Sequence, residues 1–411
     1  MTIYGTPAPV PKRRGLIVAG VAAAVAVLIA LLATVQLVRD LPVATLSTTI
    51  AARIDVPGKK ANLPWPPTGA AELMVEGLGR LGGSGGAGAE PIGSVAKVMT
   101  AYVILKEHPL TGTAEGPALT VTAADVADYE SRKATNQSLV HVVEGTELTE
   151  RDALEALMLP SANNIARQLA IWDAGSEAAF VAKMNAAADS LGMDDTEYTD
   201  PSGFLPTTVS TAADQVELAR AAIRMPVFAE IVEMREATIP VAGTIYNYND
   251  MLGVEGVFGI KTGSTDEAGG NLVFASRLKV GKRTLTVVGA VFNQPGANTP
   301  EQLDEVNKHV KKLLAAVRRT VKEYELLPAA PAGVVRTAWG GSTTVSPAAP
   351  LTVVGWPGLA VPVRVTTTEP GSEVTAGEAV GQVEASGVRV ELRTDAAVDP
   401  PSPWWKLTRV G

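Results

Sequence analysis

The stretch "PIGSVAKVMT" sets a hydroxyl, Ser94, three residues ahead of an amine, Lys97. On a helix, positions i and i+3 share a face, so the two groups can meet. The start of a helix also presents free N–H groups and a positive dipole end, which suit a developing oxyanion. A lysine serves as a base when burial or a second cation depresses its pKa. The plain alternative is an N-cap serine followed by a solvated lysine, and on this segment alone the two readings stand level. A second stretch, "LPSANN", sets Ser161 and Asn163 just after a helix that Pro160 must end. A hydroxyl and a carboxamide there suit proton relay and positioning, although a serine after a break also reads as a cap. A third, "GIKTGST", offers the fixed charge of Lys261 and the hydroxyls of Thr262 and Ser264 to an anionic ligand. Gly263 lets another backbone approach that strand closely. An ordinary strand end is the bland reading. Each motif is weak alone; the three in this order are strong together.

Other matches carry no weight. Ser276-Arg277-Leu278-Lys279 repeats the Ser-x-x-Lys spacing on an expected strand, where residues three apart face opposite ways. Gly82 to Gly86 fits G-x-S-x-G and Gly83 to Gly88 fits G-x-G-x-x-G, but both lie in a glycine tract, Leu81 to Glu90, that reads as a mobile loop. His108, His141 and His309 share no metal-ligand spacing, and there is no cysteine.

The elements that must hold these groups are a mixture of helices and strands between residues 69 and 325. Apolar Val95, Val98, Met99, Tyr102 and Leu105 predict a helix from Ser94 to Glu107. Thr149 and Asp152 form a capping-box pattern, and helices are expected over 176–191 and 211–223. Strands are expected at "AELMV" from Ala71, at 257–263, 271–280 and 284–293, the last two joined as a hairpin by "GKR". Thr299, Pro300 and Gln302 read as cap, first turn and capping-box partner of a long amphipathic helix to about Tyr324. The stretch 39–68, with "LPWPPTG", and the stretch 326–333, "LLPAAPAG", read as linkers. Residues 334–411 are short β-branched runs broken by Gly and Pro, the pattern of a small all-β domain.

The chain has 411 residues, of which 46% are hydrophobic, and a formal net charge of −8. An acidic balance argues against nucleic acid as a partner. Gly15 to Val38 carries no charge and is long enough to cross a bilayer. Lys12, Arg13 and Arg14 precede it, so residues 1–14 are expected in the cytoplasm and everything after Val38 outside. No A-x-A cleavage signal follows, which favours an uncleaved signal anchor over a signal peptide.

Taken together, SVAK, SAN and KTG resemble the motif triplet of the serine D-alanyl-D-alanine carboxypeptidases, the low-molecular-mass penicillin-binding proteins. "EALMLPSANNIARQLA", "FVAKMNAAADSLGM", "DPSGF" and "GIKTGSTDEAGGNLVFAS" extend the likeness over roughly 69–325. The resemblance implies an α+β fold: a β-lactamase/transpeptidase-like domain, an antiparallel sheet with helices, followed by the β-rich tail. It implies Ser94 as nucleophile, Lys97 as its base, Ser161 as proton relay and Asn163 as orienter. Lys261 would keep the field positive, Thr262 and Ser264 would face the substrate carboxylate, and the N–H groups of Ser94 and Ser264 would bind the oxyanion. The implied reaction removes the terminal D-alanine from peptidoglycan stem peptides through an acyl-enzyme that β-lactams trap, with no metal or cofactor. Two departures stand out. Ala96 replaces a common threonine, and "NQPGANTPEQ" lacks the arginine that often binds the carboxylate. A D,D-endopeptidase is therefore the first alternative. A class A β-lactamase would need Glu-x-x-Leu-Asn where Glu197 is followed by Tyr-Thr-Asp-Pro, and an inactive wall-binding relative would not need an intact triplet. The tail "PSPWWKLTRVG" is too short for an amphipathic anchor, so Trp404 and Trp405 are expected to pack in the β domain.

Overall fold

Alternating apolar residues at "AELMV", "NLVFASRLKV" and "TLTVVGAVF" form the centre of an antiparallel sheet. In the computed structural model, which describes Gly5, residues 13–86 and residues 88–410, this sheet has five strands. Their order is Val257–Thr265, Gly269–Val280, Arg283–Gln294, Ala70–Val75 and Gly79–Ser84. The KTG strand is thus an edge strand, in register with its neighbour through Lys261 opposite Val273 and Gly263 opposite Asn271. Helices cover the sheet. Lys97–Glu107 is buried almost along its whole length, and Glu150–Met158, Asn163–Ala174 and Ala212–Ala222 complete the core around Met99, Ile104, Leu157, Ile165 and Leu169.

Contacts divide the chain into two units, Lys60–Glu323 and a second formed by Tyr324–Gly411 together with the segment up to Lys59. The second unit is a seven-stranded sheet in the order Thr45–Thr48, Gly333–Arg336, Ser342–Pro347, Val388–Thr394, Ala379–Ala385, Ala360–Thr367, Arg53–Asp55. The stretch 39–68 is therefore not a plain linker. Thr45–Thr48 pairs with Gly333–Arg336, Arg53–Asp55 pairs with Ala360–Pro362, and Val56 is buried in that core. The apolar positions Leu46, Ile50 and Ile54 pack there too. Such pairing joins residues nearly three hundred positions apart (Thr45 with Arg336), and local pattern does not report it.

Three other expectations change. The glycine tract is not simply a loop: Gly79–Ser84 is a strand paired antiparallel with Ala70–Val75, and it needs glycine at 83, where a Cβ would sit 2.2 Å from Glu72 Oε2 in the bidentate Glu72–Arg80 ion pair. The long helix ends at Thr320, after which Lys322–Leu327 is a strand, so the connection in 326–333 shrinks to 328–332. Its N-cap is Asn298, whose side chain accepts from Glu301 N, rather than Thr299. The helix Arg13–Val38 forms as expected, with its apolar side chains exposed. The expected tail 1–14 lies almost entirely outside the described residues, as do the side chains of Arg13 and Arg14.

Candidate active site

The chain turns from Ile92 into a short 3₁₀ segment, Gly93–Ala96, which runs directly into the helix Lys97–Glu107. The Ser94 side chain caps neither; the N-cap positions are Ile92 and Ala96, without side-chain caps. Instead, Lys97 Nζ donates to Ser94 Oγ at 2.8 Å and to Ser202 O at 2.8 Å. Lys97 is 0% exposed. Burial, with the Lys261 charge nearby, holds its ammonium well below the ordinary lysine value, against an opposing pull from Asp200. In its neutral form an amine at this separation can take a proton from the Ser94 hydroxyl.

The acceptor Ser202 O is set by the loop 200–204. One Asp200 oxygen accepts from Ser202 N, Ser202 Oγ and Phe204 N, and the other from Thr208 Oγ1. Thr100 Oγ1 on the Lys97 helix donates to Pro201 O at 2.6 Å. Asp200 and Ser202 were not among the expected site residues. "DPSGF" announces a turn and nothing more, because the group that matters is a backbone carbonyl.

Gly263 closes the other side. A Cβ there would lie 2.8 Å from Ile92 O and 3.1 Å from Ser94 N, so only glycine lets the edge strand reach the start of the 3₁₀ segment. Lys261, beside it and 2% exposed, donates to Thr262 O at 3.0 Å, and burial pushes its pKa down to about 7. Ser264 Oγ donates to Gln302 Oε1 and lies 3.1 Å from Thr299 Oγ1. These two residues, expected as a cap and its partner, hold a hydroxyl of the KTG segment instead.

The SAN segment is placed differently. The N-cap of its helix is Ala162, so Ser161 is not a cap. Ser161 sits at φ 64°, a left-handed conformation costly for a serine, and among the described residues its buried Oγ has no partner. Asn163 Nδ2 donates to Gln137 Oε1 at 2.8 Å, while its buried Oδ1 is unpartnered among the described residues. Among the described residues neither side chain is hydrogen-bonded to the Ser94–Lys97 pair. Buried polar atoms are rarely left unpaired, and two in one segment leave acceptors and a hydroxyl for a ligand or water. The second Ser-x-x-Lys behaves as expected: Ser276 is buried and donates to Glu255 O, while Lys279 is exposed.

Residues 87–294, half of the chain, match the family model described as D-alanyl-D-alanine carboxypeptidase. The chain belongs to the D-alanyl-D-alanine carboxypeptidase family. It is 37% identical over 187 residues to the D-alanyl-D-alanine carboxypeptidase DacB2 of Mycobacterium tuberculosis, covering 44% of this chain and 60% of that one. It is 34% identical over 217 residues to a D-alanyl-D-alanine carboxypeptidase of a Streptomyces species, covering 49% and 71%. A D-alanyl-D-alanine endopeptidase of Pseudomonas aeruginosa is 30% identical over 208 residues, covering 49% of this chain and 64% of that one. Among solved structures, a Streptomyces DD-transpeptidase superposes with a TM-score of 0.52 at 28% identity, over 62% of this chain and all of its own. Penicillin binding protein 5 from Haemophilus influenzae gives 0.55 at 20% identity over 81% of this chain and 98% of its own, a likeness of fold. The family is one of serine hydrolases that work through an acyl-enzyme.

Proposed function

We propose that this chain is a membrane-anchored serine D,D-carboxypeptidase that removes the terminal D-alanine from peptidoglycan stem pentapeptides. The observation that carries the reading is the 2.8 Å contact between Ser94 Oγ and a fully buried lysine amine. Ser94 attacks the carbonyl of the D-Ala-D-Ala bond and Lys97 takes its proton. The N–H groups of Ser94 and Ser264 hold the oxyanion, Ser161 hands the proton to the departing D-alanine, and Asn163 orients Lys97 and the substrate amide. Lys261 supplies positive charge that keeps Lys97 able to shed its proton. The edge strand Val257–Thr265 leaves one side open for an extended peptide to pair with. Water then hydrolyses the acyl-enzyme, and β-lactams stop the cycle at the same acyl stage.

The helix Arg13–Val38 serves as an uncleaved signal anchor. Lys12, Arg13 and Arg14 keep its start in the cytoplasm, and the chain after Val38 lies on the outer side of the membrane. The test measures D-alanine released from a pentapeptide ending in D-Ala-D-Ala, with labelling by fluorescent penicillin. Ser94→Ala should abolish both, and persistent labelling would remove Ser94 from its role. A second reading, D,D-endopeptidase, is favoured by one observation: residues 293–302 carry no basic side chain, and Ser264 is held by neutral Thr299 and Gln302. Faster cleavage of a D,D-cross-linked peptide dimer than of the pentapeptide would select it.

A further inference from the structure

The segment Ser402–Val410 does not simply pack in the β sheet. Its helix, Pro403–Thr408, is capped by Ser402 and lies against the end of the anchor helix. The guanidinium of Arg409 donates to Gln36 O, Arg39 O and Asp40 O at 3.3, 2.7 and 3.0 Å. In return, Gln36 Nε2 donates to Arg409 O at 2.8 Å. The last carbonyls of a helix have no partner within it, and a cation there is favoured by the helix dipole. Arg409 therefore finishes the apolar helix, and its carbonyl satisfies the one carboxamide near that end.

The remaining side chains divide by face. Trp405 turns inward: it meets Trp339 edge-on at 5.8 Å, and Arg409 lies 5.6 Å from its ring. Trp339 Nε1 in turn donates to Asp399 O at 2.8 Å. Trp404 and Leu407, one turn apart, face outward; Trp404 is 74% exposed and Val410 is 98% exposed. Water is a poor neighbour for that group. Its helix packs against the end of Arg13–Val38, and Lys406 and Arg409 in the same segment add positive charge, the charges of Arg39 and Asp40 offsetting each other. Tryptophan with basic residues at this depth is the composition of a membrane interface.

We propose that Ser402–Val410 is a membrane-interface collar: it clamps the outer end of the anchor helix through Arg409 and seats Trp404 and Leu407 in the headgroup layer of the same leaflet. The proposal rests on the anchor reading of Arg13–Val38. A collar of this kind links the β sheet to the anchor through Trp339 and Trp405.

The chain has no cysteine, so a single one can carry a fluorophore. The full chain is labelled at Leu28→Cys or at Val410→Cys and reconstituted in phosphatidylcholine–phosphatidylglycerol vesicles. The quencher is a nitroxide lipid, placed either near the headgroup or deep in the acyl chain. Leu28 should be quenched by the deep nitroxide and Val410 by the shallow one. Trp404→Ser or Arg409→Ala should cut the Val410 quenching by at least about twofold while Leu28 is unchanged. Deep quenching at Leu28 with none at Val410 overturns the collar and leaves the anchor standing. Val410 quenching that ignores both substitutions overturns the clamp. No quenching at Leu28 overturns the anchor and the collar with it.

Discussion

The two units are built in opposite ways. The unit Lys60–Glu323 is one continuous piece of chain, and the chemistry proposed for it sits in three short local motifs. The β unit is assembled from two pieces of chain, with strands Thr45–Thr48 and Arg53–Asp55 completing a sheet whose other members start at Gly333. A continuous unit can keep its active groups on neighbouring turns, where spacing alone brings them together, as with Ser94 and Lys97. A discontinuous one depends on pairing across hundreds of residues and carries no motif. Perturbations should therefore separate cleanly: those at the site remove chemistry and leave the sheet, and those at the strands near Val56 do the reverse.

The largest effect should come from Lys97. Lys97→Met removes the base proposed for Ser94, and acylation by penicillin should fall by about 10³-fold with thermal stability nearly kept. The same pair fixes the pH profile. On the proposed mechanism acylation needs Lys97 neutral, so the rate should rise with pH as Lys97 sheds its proton. The same mechanism needs Lys261 charged, so the rate should fall as pH climbs above about 7, where that lysine loses its proton. The expected profile of acylation rate is a bell. Lys261→Arg, charged at every accessible pH, should flatten its alkaline limb. An unchanged alkaline limb in that variant would detach Lys261 from the profile.

Gly263→Ala comes next. The new methyl would press on Ile92 O and Ser94 N and push the edge strand off the 3₁₀ segment. A displacement approaching 1 Å costs about 10²-fold in a positioned reaction, so kcat/KM should drop by that order while the β unit melts unchanged. A near-normal rate would mean that the close approach is not what aligns Ser94.

The converse test is Val56→Ala. Val56, 2% exposed, packs in the β core, and removing two methyl groups should lower that unit's stability by about 2 kcal/mol. Calorimetry should show one transition lowered, with penicillin labelling intact. Loss of labelling would show that the two units are not separable in function.

These contrasts also mark what could be read from residue order. The triplet was legible because Ser94–Lys97, Ser161–Asn163 and Lys261–Ser264 are each local, and the central strands and helices followed their apolar periods. Ser202 escaped because its contribution is a carbonyl, and the Asp200 network behind it becomes visible only when the loop is folded. Thr299 and Gln302 matched a capping pattern, and the same side chains turned out to hold Ser264, a long-range contact that competes with the cap. The glycine tract read as a loop by composition. Its first half is a strand because it pairs with Ala70–Val75, a tertiary pairing that overrides the low strand preference of glycine.

The smallest effect should lie inside the continuous unit but away from its chemistry. Glu150 opens the helix Glu150–Met158, is 0% exposed, and has both carboxylate oxygens unpartnered among the described residues. Burial raises its pKa to about 7, with His108 pulling the other way. A raised carboxyl pKa means that the folded chain holds a proton the unfolded chain has released. The stability this contributes is complete below about 4.5 and is lost as pH rises through about 7. Glu150→Gln keeps the shape without the charge, so it should leave stability near pH 5 almost unchanged and raise it near pH 8, by about 1–2 kcal/mol. Denaturant melts at the two pH values check this, with penicillin labelling held as the control. A variant that is destabilised equally at both would show that Glu150 is held by contacts rather than by its proton. A variant that loses labelling would tie this buried carboxyl to the site after all and break the separation between chemistry and scaffold within the unit.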